Sequence, residues 1–183
     1  MIITSPRDFI SHLAKDQRLL GLDIGEKTIG LALSDVSRMI ATPFKTIERG
    51  KFTKDLEILI SIIKEYNVGG LVLGYPVNMD GSEGPRCQSV RQFARNMAPK
   101  IALPVLLMDE RMSTMAVTRT MLDADLSRAR RAELVDKMAA SYILQGALDQ
   151  IGNSQMASSC AKAQDLRQSA LALDPAIKPQ DDE

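Results

Sequence analysis

The chain has 183 residues, 45% of them apolar and 25% charged, the balance of a soluble globular domain long enough to bury a sizeable core. Basic and acidic residues number 23 each, so there is no net charge and none of the cationic surplus that usually marks a nucleic-acid binder. The single histidine, His12, excludes a multi-histidine metal site, and the two cysteines, Cys87 and Cys160, exclude a disulfide framework and fit a reducing compartment.

Residues 1–17 read as a polar lead-in with room for one helical turn. Residues 18–23 (RLLGLD) and 28–34 (TIGLALS) are apolar runs on either side of a short Gly-containing connection, which predicts an antiparallel hairpin. Residues 39–47 supply a third strand, placed at an edge or bulged by Pro43. The period then changes: Leu56, Leu59, Ile60 and Ile63 recur at helical spacing, predicting an amphipathic helix over 51–66 that Gly69 and Gly70 close. A short buried strand follows at 71–74, then a loop of turn formers at 76–84 (PVNMDGSEG). Pro85 is placed to begin a helix whose apolar face is Val90, Phe93, Ala94 and Met97.

The strand at 104–108 ends at Asp109 and Glu110. Ser113 can cap a helix running to about residue 122, and a basic linker leads into a long helix over 130–151. Antiparallel strands first, then alternating helices and strands, predict an α/β fold with a mixed sheet flanked by helices. The expected domain is therefore 18–151. Residues 152–183, rich in Ser, Gln, Ala and Asp, carry three basic against five acidic side chains. They read as a largely disordered tail with a short helix near 163–172. No apolar run spans a bilayer and the N-terminus lacks the apolar stretch of a signal peptide, so the expected location is cytoplasmic.

Three carboxylates stand where chemistry gathers in such a fold. Asp23 and Glu110 end apolar strands, and functional groups of open α/β sheets collect at strand carboxyl ends. Side chains alternate along a strand, so Asp109 and Glu110 cannot both join one site. Asp136 lies beside a helical stripe of Val135, Met138, Ala139 and Tyr142. Taken singly, a strand-end aspartate is a turn former and a helix-edge aspartate is a solvated margin. Brought together, the three would repel one another unless a cation neutralised them. Two divalent ions held in this way are suited to phosphodiester cleavage. With oxygen ligands only, the metal is magnesium or manganese.

Four blocks in order, LLGLDIGEKTIGLALSD, LVLGYPVNMDGSEGP, PVLLMDERMST and VDKMAASYILQ, resemble the YqgF family, also called the Holliday-junction-resolvase-like or RuvX family, over about residues 19–149. The resemblance implies an RNase H-like fold of five strands, three antiparallel and then two parallel. It implies Asp23, Glu110 and Asp136 as metal-binding catalytic residues. It also implies an endonuclease that matures the 5′ end of the small-subunit (16S) ribosomal RNA precursor, or alternatively one that resolves branched DNA. Thr28 stands where many members carry a basic residue, which removes one phosphate contact.

Expected nucleic-acid contacts are Lys27 and Arg111 beside the proposed ligands, Asn78, Asp80 and Ser82 in the rim loop, and Arg86, Arg130 and Arg131. Positive groups flanking an acidic site can draw a polyanion toward it. The expected partner is precursor ribosomal RNA or branched DNA, without a membrane, bound by a monomer or weak homodimer. The D-I-G-E-K-T turn also resembles the first phosphate loop of actin-like ATPases and sugar kinases. The chain has no second such loop and no G-x-x-x-x-G-K-[ST] run. A non-catalytic nucleic-acid module is the remaining alternative, and the intact carboxylate set counts against it.

Overall fold

The computed structural model describes residues 1–78, 80–109 and 138–154. In chain order its elements are β1 (Ile2–Ile3), α1 (Pro6–Ile10), β2 (Arg18–Ile24), β3 (Thr28–Ser34), β4 (Ala41–Glu48), α2 (Phe52–Glu65), β5 (Val68–Tyr75), α3 (Pro85–Met97) and β6 (Val105–Asp109). A last helix, α4, covers residues 138–154. The strands form one sheet in the order β1-β6-β5-β2-β3-β4. The β2–β3 and β3–β4 pairs are antiparallel, while β2–β5, β5–β6 and β1–β6 are parallel.

The five expected strands are present in the RNase H-like arrangement. The sixth, β1, adds two residues at the edge beside β6. β4 is the opposite edge, and its register shifts where Pro43 meets Ala32, because proline has no N–H to give the ladder.

Alternation along the central strands sends their side chains to two covered faces. Leu20, Leu22, Leu71, Leu73 and Leu107 face one core, which Leu59 of α2 and Val90, Phe93 and Met97 of α3 complete. Leu19, Ala32, Val72, Leu106 and Met108 face the other, with Phe9 of α1 and Ala140, Leu144 and Ala147 of α4. Each fully buried leucine stabilises the fold by roughly 1.5–3 kcal/mol.

Three expectations change. The lead-in is built into the second core rather than being a polar appendage, for Phe9 is fully buried. Gly69 and Gly70 do not close α2. They lie inside β5, which begins at Val68, and the turn is made by Asn67 at φ 51°. Gly70 belongs in the strand because a Cβ there would stand 2.7 Å from Phe9 Cζ and 2.8 Å from Leu13 Cδ2. The buried stripe of α4 is Ala140, Ile143, Leu144, Ala147, Leu148 and Ile151. Ala139 is also buried, whereas Met138 and Tyr142 are only half-buried. The helices expected at 113–122 and 163–172, the basic linker and the tail from residue 155 lie outside the described residues.

Candidate active site

The three parallel strands β2, β5 and β6 all finish along one edge of the sheet, at Ile24, Tyr75 and Asp109. The pairing runs Leu22 with Leu73, Gly74 with Met108 and Tyr75 with Asp109, so the strand ends are nearly level. Asp23 stands there with only 7% of its surface exposed, opposite Gly30 of β3. Asp109 is half-buried at the end of β6.

The two-residue period decides which acid faces which core. Asp23 follows Leu19 and Gly21, so it belongs to the face that α4 covers. Asp109 follows Val105 and Leu107 and belongs to the opposite face. Gly21 lies against α4: a Cβ on it would be 2.7 Å from Leu144 Cβ and 2.9 Å from the Ala140 carbonyl oxygen.

Glu110 and Asp136 lie outside the described residues, as do Arg111, Arg130 and Arg131. Among the described residues no group of three or more His, Cys, Asp or Glu side chains could hold a metal. His12 is exposed, with Nδ1 against the Asp8 carbonyl at 2.9 Å and the Ser11 hydroxyl at 3.1 Å.

The rim loop is shaped largely by its own side chains. Asn78 Nδ2 donates to Ser82 Oγ at 2.9 Å, and the Ser82 amide and hydroxyl donate to Asp80 Oδ1 at 2.9 and 2.6 Å. The three residues expected to touch nucleic acid thus hold the loop's form. Arg91 pairs with Glu83 and donates to Tyr75 Oη at 2.5 Å, its guanidinium lying 5.6 Å from the Tyr75 ring centre. Burial, with the Glu83 hydrogen bond, pushes the Tyr75 phenol above its ordinary pKa. Tyr75 and Arg91 thereby tie the loop to α3 and to the end of β5.

A cleft of about 170 Å³ opens beside the β2–β3 turn, lined there by Gly25 and Glu26. Arg49, just past β4, forms a second wall, and Pro85, Arg86 and Ser89 of α3 form a third. Arg86 was expected to contact nucleic acid; Arg49 was not, since nothing in its sequence surroundings distinguishes it. Lys27 is exposed on the same turn, and its carbonyl accepts from the Arg49 amide at 2.8 Å.

Residues 17–150, which include Asp23, Glu110 and Asp136, match the sequence profile of RuvX, described as Holliday junction resolvase. This chain belongs to the RuvX family. Two relatives provisionally named pre-16S rRNA nuclease come from Paramagnetospirillum magneticum and Zymomonas mobilis. The first is 65% identical over 149 residues, which are 81% of this chain and 96% of that protein. The second is 61% identical over 143 residues, 78% of this chain and 87% of that protein. Among solved structures, Thermus thermophilus RuvC in complex with a Holliday junction substrate is similar with a TM-score of 0.48 at 10% identity. The match covers 74% of this chain and 96% of RuvC. The RuvX match begins at residue 17, so β1 and α1 precede the part that defines the family.

Proposed function

We propose that this RuvX chain is a metal-dependent phosphodiester endonuclease that matures the 5′ end of the 16S ribosomal RNA precursor. Its catalytic metal ligands are Asp23, Glu110 and Asp136. The observation that carries this reading is a carboxylate, Asp23, held 93% out of solvent at the end of a central strand. Burying a carboxylate is costly unless a cation or donors compensate it, and such residues concentrate at functional sites.

The strand and helix patterns support the other two ligands. Glu110 continues the parity of Leu106 and Met108, which belong to the face of Asp23. Asp136 precedes Ala140 by one helical turn in sequence, and Ala140 lies against Gly21, two residues before Asp23. The available donors are oxygens, and the one imidazole is exposed on the short turn after α1, which fits magnesium or manganese. When bound, such a cation stabilises the charge that develops on the phosphate during displacement.

The chain's own groups do the rest. Burial fixes the direction of the Asp23 carboxylate, and hydrogen bonds among Asn78, Asp80 and Ser82 shape a rim beside the strand ends. Lys27, on the turn after β2, supplies positive charge near Asp23, Arg86 supplies it on the other side of the strand ends, and Arg111, Arg130 and Arg131 are proposed to add to it. Action on a ribosomal RNA precursor goes with a cytoplasmic location, and no described helix is long and apolar enough to cross a membrane.

The resolvase description of the family favours a second substrate, the four-way DNA junction. Symmetric resolution needs two sites and hence a dimer, whereas trimming an RNA end needs one. A side-by-side cleavage assay on precursor 16S RNA and a synthetic four-way junction, with oligomeric state measured in parallel, tests the assignment. Faster metal-dependent cutting of the RNA by a monomer is the expected result. Preferential cutting of the junction by a dimer would replace it with the resolvase reading.

A further inference from the structure

The cleft between the β2–β3 turn, Arg49 and α3 faces away from α4, on the side of the sheet opposite the proposed metal ligands. It begins at Ile24 and Gly25, so a strand lying over the end of β2 would pass from Asp23 to the cleft within two residues, about 7 Å. Its two arginines come from separate elements and approach the same space.

Arg49 is fixed before any ligand arrives. Its Nη1 donates to the Gly25 carbonyl at 2.6 Å, and its guanidinium lies 5.9 Å from the centre of the buried Phe93 ring. A guanidinium held in this way keeps further N–H donors and its whole charge for a partner. Arg86 is exposed, and Ser89 follows it by three residues on the same helix face. Neither arginine is in an ion pair with another described residue. Glu26 also lines the cleft, leaving its charged side chains one positive charge in excess.

We propose that this cleft is a second phosphate subsite, in which Arg49, Arg86 and Ser89 grip a backbone phosphodiester of the nucleic acid next to the one at Asp23. The proposal rests on the nuclease reading for the identity of the strand, and on the cleft alone for the phosphate. The two guanidinium groups and the Ser89 hydroxyl line one space, a donor set suited to a tetrahedral anion. Planar guanidinium groups match phosphate oxygens two at a time. Glu26 sets an internal control, because the same geometry makes it unfavourable to the ligand.

The test is fluorescence anisotropy of a labelled single-stranded RNA against the full chain, across a salt series, with chelator present so that no cleavage occurs. Arg86→Gln is expected to weaken binding about fivefold at low salt and to reduce the slope of log K against log salt by about one. Arg49→Gln should do the same, and Glu26→Gln should tighten binding. Lys64→Gln, on the exposed last turn of α2, should leave affinity near that of the parent. Arg86 is exposed and its replacement leaves the core intact, so a folding defect in Arg49→Gln would not remove the test. Unchanged affinity and slope in Arg86→Gln, or no gain in Glu26→Gln, would overturn the subsite.

Inorganic phosphate at matched ionic strength should not displace the RNA, and displacement that depends on Arg86 would assign the cleft to free phosphate instead. Cleavage separates the two readings. A chain that never cuts but shows the Arg86-dependent slope retains the subsite and loses the nuclease. A chain that cuts with an unaltered slope does the reverse.

Discussion

One face of the sheet presents Leu20, Leu22, Leu71, Leu73 and Leu107 to the large side chains of α2 and α3, while the other presents Gly21, Ala32 and Val72 to Ala140, Leu144 and Ala147 of α4. The first is a thick aliphatic layer, in which loss of one side chain leaves a cavity but the neighbouring helices keep their places. The second is thin. There the α4 backbone comes close enough to β2 that the Ala140 carbonyl would lie 2.9 Å from a Cβ on Gly21. Asp23 belongs to the thin face by strand parity. The difference teaches that α2 and α3 pack on the sheet through side chains, whereas α4 packs at Gly21 against the backbone, two residues before Asp23, which ties the positioning of the proposed acids to the second face.

Three substitutions sharpen that contrast. The largest loss of stability is expected on the thick face, where Leu59→Ala should cost about 2–5 kcal/mol in urea unfolding. Metal-dependent cleavage per folded molecule should be unaltered. Gly21→Ala should cost less, about 1–3 kcal/mol, because an overpacked contact is relieved by moving α4. Cleavage should nonetheless fall further than in Leu59→Ala. Equal cleavage in the two variants would break the assignment of positioning to the thin face.

The smallest effect belongs to neither face. In the turn after β3, the Asp35 carboxylate accepts from the Ser37 hydroxyl, from the Ile40 and Met39 amides at 2.8 Å each, and from the Ser37 amide at 3.1 Å. These donors, the Ser37 hydroxyl foremost, lower its pKa from 3.8 to about 2. A carboxyl depressed in the folded state contributes stability that is complete above the unfolded value and lost as pH falls through the folded one. Asp35→Asn should therefore flatten the acid limb of a pH–stability curve between about pH 4 and 2. Cleavage at neutral pH should not change.

Much of the fold was legible because its signals are local in the chain. Unbroken apolar runs on either side of a glycine-containing turn gave β2 and β3, helical spacing gave α2 and the buried face of α3, and Pro43 and Pro85 fell where proline chemistry puts them. Other features were hidden because they depend on residues distant in the chain. β1 is too short to carry a period, and the burial of Phe9 depends on the missing side chain of Gly70, sixty-one positions later. Gly69 and Gly70 have the composition of a helix stop, and only the packing shows that they make room for the lead-in. The stripe of α4 was displaced because alanines stand at Ala139, Ala140 and Ala147, where they contrast weakly with their neighbours and leave the register of the face open. Asp23 was readable as a strand-end acid. Arg49 was not, because its cleft is assembled from separate segments, none of which carries a motif at that position.

Calorimetric titration of manganese into the full chain, and into Asp23→Asn, Glu110→Gln and Asp136→Asn, tests the shared metal centre most directly. Each single change should abolish both the binding heat and metal-dependent cleavage. Metal-free melting temperatures should equal or exceed that of the parent, because one repelling charge has been removed. A variant that retains the parent's manganese affinity would show that its residue does not hold the metal and would contradict the three-carboxylate centre.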